Sequence, residues 1–75
     1  MEQKKVLYPN IKAELSRAGL NAAMLAEFMG LTRQALYNKL SGKVCFRLKE
    51  MKLVQDFFIA KGCGNFTLDY LFSYE

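Results

Sequence analysis

Residues 19–43 read GLNAAMLAEFMGLTRQALYNKLSGK. Gly19-Leu20-Asn21 and Gly30-Leu31-Thr32 use the same punctuation twice: a glycine suited to the left-handed position past a helix end, one apolar residue, then an Asn or Thr suited to cap the next helix. The chain must turn sharply at both places. Between the turns, residues 22–29 have high helix propensity, with Ala22, Leu25, Ala26 and Met29 on one face and Glu27 off it. After the second turn, residues 33–40 predict a helix of about two turns, closed by Ser41 and Gly42. Two short helices joined by a tight turn are the sequence form of a helix-turn-helix.

Working outward, Pro9 suits the opening position of a helix over residues 9–18, where Ile11, Leu15 and Ala18 recur at spacings of four and three. Beyond Gly42 the pattern lengthens into a helix over residues 48–60. Its expected core stripe is Leu48, Met51, Val54 and Phe58, which displaces Leu53 and Phe57 by about 100° or more. KGCGN at 61–65 is a loop, and Thr67 caps a last short helix, LDYLF, with Asp69 where the macrodipole favours an acid. No alternation long enough for a convincing strand occurs. The expected architecture is all-α: one domain over residues 1–75, a compact bundle of about five short helices.

Seventy-five residues lie near the size at which a single core only just offsets chain entropy. With 52% hydrophobic residues, six Phe and four Tyr, the chain has ample core material. Cys45 and Cys63 form no CxxC pair and histidine is absent, which suits neither a zinc site nor a dense disulfide framework. Two free thiols in a reducing cytosol are expected. Val6, Leu7 and Tyr8 end at Pro9, far short of a signal or a membrane span, so the expected location is cytoplasmic. With no metal cluster and no glycine-rich phosphate loop, neither a cofactor nor an enzymatic role is expected. Cys63, in the GCG stretch, is the one candidate nucleophile, and it has no base nearby.

The net charge of +4 is unevenly spread. Residues 1–43 hold seven basic and three acidic groups, whereas residues 44–75 hold four of each. Between Thr32 and Arg47 there is no acid, a window that fits a polyanion contact.

On a helical wheel starting at Arg33, Tyr37 falls about 40° round, Gln34 about 100° and Asn38 about 140°. Leu36 and Leu40 lie on the far side at roughly 300° and 340°, with Ala35 and Lys39 at its margin. This helix therefore anchors through two leucines and presents Arg, Gln, Tyr and Asn outward. Ordinary solvent-facing helices favour Glu and Lys, and this arc has neither. Arg can pair bidentately with guanine, and Gln and Asn can donate and accept at adenine. Tyr37 can bond a phosphate or pack on a thymine methyl. Lys43 and Arg47 suit phosphates, which orient a protein without reading sequence.

The same stretch, residues 19–43, resembles the helix-turn-helix of the lambda-repressor-like, Cro and phage repressor proteins (the XRE family). Leu25-Ala26, Gly30, Leu31, Thr32, Leu36 and Gly42 stand where that pattern wants them. FRLKEMKLVQDFF and LDYLF are similar to that family's later helices, so the likeness runs from Tyr8 to Phe72. The resemblance implies base contacts from Arg33, Gln34, Tyr37 and Asn38, and backbone contacts near Thr32 and Lys43. It also implies homodimers on a pseudo-palindromic double-stranded operator. Ala22 departs from the pattern, since the family often has a phosphate-touching Gln there; Asn21 is assigned only a cap.

The leading expectation is thus a sequence-specific DNA-binding regulator of repressor or Cro-like type, related to a phage or mobile element. The alternative is a protein-binding module on the same fold, an antitoxin-like or antirepressor-like partner whose working surface is the aromatic C-terminal half. Part of that half, including Leu53 and Phe57, is a candidate homodimer seam unless the last helix covers it.

Overall fold

The computed structural model describes residues 8–73. Five helices follow one another: α1 Pro9–Arg17, α2 Ala22–Met29, α3 Arg33–Leu40, α4 Leu48–Ala60 and α5 Leu68–Leu71. The chain is an all-α bundle, and no strand occurs among the described residues.

Local chemistry sets the ends of these helices. Asn21 Oδ1 accepts from Met24 N–H at 3.0 Å, Thr32 Oγ1 from Ala35 N–H at 3.0 Å and Thr67 Oγ1 from Tyr70 N–H at 3.1 Å. Each cap satisfies one donor that the first helical turn leaves orphaned. At the other ends, Gly19 (φ 72°) and Gly30 (φ 76°) adopt the left-handed conformation that side chains resist. The following N–H then folds back: Leu20 N–H reaches Leu15 C=O at 2.8 Å, and Leu31 N–H reaches Ala26 C=O at 2.9 Å. Both are the six-residue closure of a Schellman motif, and they reverse the chain within three residues. Helix α1 stops at Arg17, one residue earlier than its apolar spacing suggests, and Ala18 is an exposed cap residue, not a core one.

The core collects Ile11 and Leu15 from α1, Leu25 and Ala26 from α2, Leu36 and Leu40 from α3, Val54, Phe57 and Phe58 from α4, and Leu71 from α5. Tyr8, Phe46 and Phe72 form an edge-to-face cluster with centroids 5.0–5.4 Å apart, tying the start of α1 to the segment before α4 and the end of α5. A second tie joins α5 to α1. Tyr70 Oη donates to the buried Glu14 at 2.6 Å, Asn10 Nδ2 donates to Tyr70 C=O at 2.7 Å, and Arg17 pairs with Glu14 at 3.3 Å.

Helix α4 is rotated relative to the expected stripe. Leu48 is 63% exposed, while Phe57 is wholly buried against Phe28 of α2, with ring centroids 5.4 Å apart. At about 100° per residue these two positions lie on opposite sides of the helix, so burying Phe57 under α2 forces Leu48 outward. Phe28 of α2 is part of the cover over Phe57, and Phe57 is not surface for a dimer seam. Leu53 is half-buried.

Candidate nucleic-acid interface

Helix α3 is fixed from one side. Leu36 and Leu40 sit in the core, Thr32 caps the first turn, and the connection to α2 is the short turn through Gly30 and Leu31. That anchorage turns Arg33, Gln34 and Tyr37 to solvent, with Asn38 half-buried beside them. The four residues expected on one arc are on one side of the helix, and Thr32, at its start, is exposed as well.

Two of the four are joined. Gln34 Nε2 donates to Asn38 Oδ1 at 3.1 Å, a one-turn pair along the helix. The bond leaves Gln34 Oε1, its second N–H and the Asn38 Nδ2 donors outside that pair. The Asn38 backbone C=O accepts Val44 N–H at 3.1 Å and Ser41 Oγ–H at 3.3 Å, which folds the chain after α3 back on the helix. Lys43 and Arg47 are exposed on that returning segment. Among the described residues no ion pair involves Arg33, Lys43 or Arg47, although the Arg47 charge does act on Glu50 at longer range.

Lys39, at the edge of the buried arc on the wheel, turns inward. Its ammonium lies 3.1 Å from Glu50 Oε1, with side-chain exposures of 10% for Lys39 and 21% for Glu50. Glu50 is the third residue of α4 and its Oε1 also accepts Arg47 N–H at 2.9 Å. Arg47 has no side-chain acceptor to return the favour, so α4 is capped from this side alone. The Arg47 N–H, followed by the Lys39 ammonium, holds the Glu50 carboxyl below the usual carboxylate range against the opposing effect of burial. Sequence reasoning missed this pair. A Glu three residues after the pre-helical Arg47 was the available signal, but nothing local connects it to Lys39.

Beside α3 runs an open groove of about 610 Å³, walled by Lys12 and Ser16 of α1, Asn21 and Ala22 at the start of α2, and Tyr37 and Ser41. Its floor is Ile11, Leu15 and Leu40, and Lys12 is the one charged group along it. No group of three or more His, Cys, Asp or Glu side chains that could hold a metal occurs among the described residues. Cys45 is an exposed thiol and Cys63 a half-buried one. No helix in the described residues is long and apolar enough to cross a membrane.

No protein-family model matches the chain, and neither a curated protein nor a solved structure matches it significantly.

Proposed function

We propose that this protein is a sequence-specific double-stranded DNA-binding regulator of the lambda-repressor-like, Cro-type (XRE) class, with α3 in the major groove. One observation carries the reading: a short, capped helix with a single buried side exposes Arg33, Gln34 and Tyr37 with Asn38 half-buried beside them, next to a return segment bearing the exposed cations Lys43 and Arg47. These four contact bases, while Thr32, Lys43 and Arg47 contact the phosphate backbone. The protein acts as a homodimer on a pseudo-palindromic operator, in the cytoplasm, without a cofactor and without catalysis, and belongs to a phage or mobile element. The test is selection of sites from random duplex DNA, followed by salt titration of the selected duplex. Arg33→Ala or Gln34→Ala should lose about 1–3 kcal/mol of specific binding, while Lys43→Ala should weaken all sequences alike and reduce the salt slope by about 0.9. No enrichment and no duplex binding at low salt would refute the reading.

A second reading, a protein-binding module of antitoxin-like or antirepressor-like kind, is favoured by the apolar side chains left on the surface. Leu48, Ile59 and Tyr70 are exposed in the C-terminal half, and Met24 and Phe28 are exposed one turn apart on α2. Under this reading binding to duplex DNA is negligible, and the same titration separates the two.

A further inference from the structure

We infer that Lys39 and Glu50 form a latch that sets the pose of α3, which makes both of them positioning residues for DNA recognition and removes Lys39 from the DNA-facing charge. The inference rests on the DNA-binding reading above. Its physical basis is the sharing of one carboxylate oxygen. Glu50 Oε1 takes the Lys39 ammonium from the last turn of α3 at 3.1 Å and the Arg47 N–H that opens α4 at 2.9 Å. A single atom therefore fixes both ends of the segment that carries Lys43 and Arg47.

That tie adds a polar anchor to the second turn of α3, where Leu40 is buried in the core. The helix is only eight residues long, and its apolar anchors are Leu36 and Leu40. Among the described residues, Lys39–Glu50 is the only ion pair between α3 and α4. Tyr37 and Asn38 occupy the same turn as Lys39, so a change in where Lys39 is held moves two of the four proposed readers. Base contacts need two directed hydrogen bonds at once, whereas a phosphate contact tolerates movement of a long, flexible cation. Loss of the latch should then cost discrimination between sequences more than it costs general affinity. The inward Lys39 is already neutralised by Glu50, so it releases no counterion when DNA binds.

Three variants and one spectroscopic measurement test this. Glu50→Gln keeps an acceptor for the Arg47 N–H but leaves Lys39 without its counter-charge. Lys39→Met keeps the stem without the charge, and the double variant Lys39→Met/Glu50→Gln replaces the pair without leaving a covered charge unpaired. Each is compared with wild type by urea unfolding, by the ratio of selected-site to random-duplex affinity, and by the salt slope. The expected result is a double variant of near wild-type stability whose specificity ratio falls by about 10-fold or more, the scale of one lost base contact, with the salt slope unchanged. A double variant with wild-type specificity overturns the latch, because the pair would then serve stability alone. A drop of about 0.9 in the slope for Lys39→Met also overturns it, since Lys39 would then be meeting a phosphate. If the variants do not fold, the side-chain nitrogen resonance of Lys39 in the wild-type protein decides: it should keep its shift on DNA addition while that of Lys43 moves. Equal movement of the two refutes the latch. Absence of duplex binding by wild type overturns the DNA reading and the latch together, whereas wild-type binding with unaltered variants overturns the latch alone.

Discussion

Thr32 has two proposed roles that one substitution can separate. Its Oγ1 accepts Ala35 N–H at 3.0 Å and so caps α3, while its hydroxyl is exposed at the end of the helix proposed to enter the major groove. Thr32→Ala removes the acceptor and orphans a donor in the first turn, at a cost of about 0.5–2 kcal/mol. For a domain of this size, a loss of about 1 kcal/mol lowers the thermal midpoint by roughly 4–8 °C. Thr32→Asp behaves differently. Asp is at least as good a cap, and its charge at a helix N-terminus is favourable by about 0.3–1 kcal/mol, so stability should hold or rise.

The same aspartate would meet the backbone of bound DNA. A carboxylate about 4–8 Å from a phosphate, at the effective dielectric of a protein surface, is repelled by about 2–4 kcal/mol before salt screening. That corresponds to a loss of roughly 30- to 700-fold in affinity for selected and random duplexes alike. Thermal unfolding measures the cap, and fluorescence anisotropy on a labelled duplex at fixed salt measures the approach of the backbone. The reasoning requires opposite signs in the two assays for Thr32→Asp. Wild-type DNA affinity in a stable Thr32→Asp variant would mean that the start of α3 does not lie against the phosphates, and an unchanged midpoint in Thr32→Ala would mean that the cap contributes nothing.

Phe57→Ala should lose about 3–5 kcal/mol in urea unfolding, because the ring is wholly buried between Phe28 and Phe58, while a 75-residue domain has only about 4–11 kcal/mol in total. A loss under about 1 kcal/mol would contradict the rotation of α4 described above. The acid limb of stability should involve Glu50. Its folded pKa lies below its ordinary value of 4.5, so its contribution is complete above that value and is lost as pH falls through the folded one. Urea midpoints of wild type and Glu50→Gln should therefore differ at pH 7 and converge at acid pH; a difference independent of pH would count against the interaction. Tyr70 should shape the alkaline limb, since its bond to Glu14 raises its pKa above 10 and favours the protonated fold. That contribution is complete below the ordinary value and is lost as pH rises through the folded one, so Tyr70→Phe should flatten the decline in stability at alkaline pH. An identical decline in both proteins would show that the bond does not contribute.

The features legible in the sequence are those encoded within a few residues. The bounds of α2, α3 and α4 follow from Asn21, Gly30, Thr32 and Gly42 and from periodicity, because a cap or a left-handed glycine needs no distant partner. The exposure of Arg33, Gln34 and Tyr37 was equally legible, as the arc opposite Leu36 and Leu40 has to face away from the core. The phase of α4 was not. Leu48 and Phe57 are both large and apolar and lie on opposite sides of the helix, so the choice between them depends on where Phe28 of α2 arrives. Lys39 poses the same problem in a polar form: the wheel leaves it at a margin, and its partner lies across the turn after α3, on another helix.

The inward turn of Lys39 also changes how the acid-free window should be understood. Counted along the chain, the window from Thr32 to Arg47 offers Arg33, Lys39, Lys43 and Arg47. With Lys39 held by Glu50, the exposed cations divide into Arg33 on the helix and Lys43 and Arg47 on the segment that follows it. Apart from Arg33, the outward arc of α3 is uncharged, carrying the linked amides of Gln34 and Asn38 and the Tyr37 ring. The linked amides suit adenine edges, while Lys43 and Arg47, which lie off the helix, suit phosphates. Under the proposed function, affinity and discrimination therefore reside on adjacent but separate pieces of chain. Glu50 joins those pieces by accepting from the Lys39 ammonium of α3 and from the Arg47 N–H at the end of the return segment.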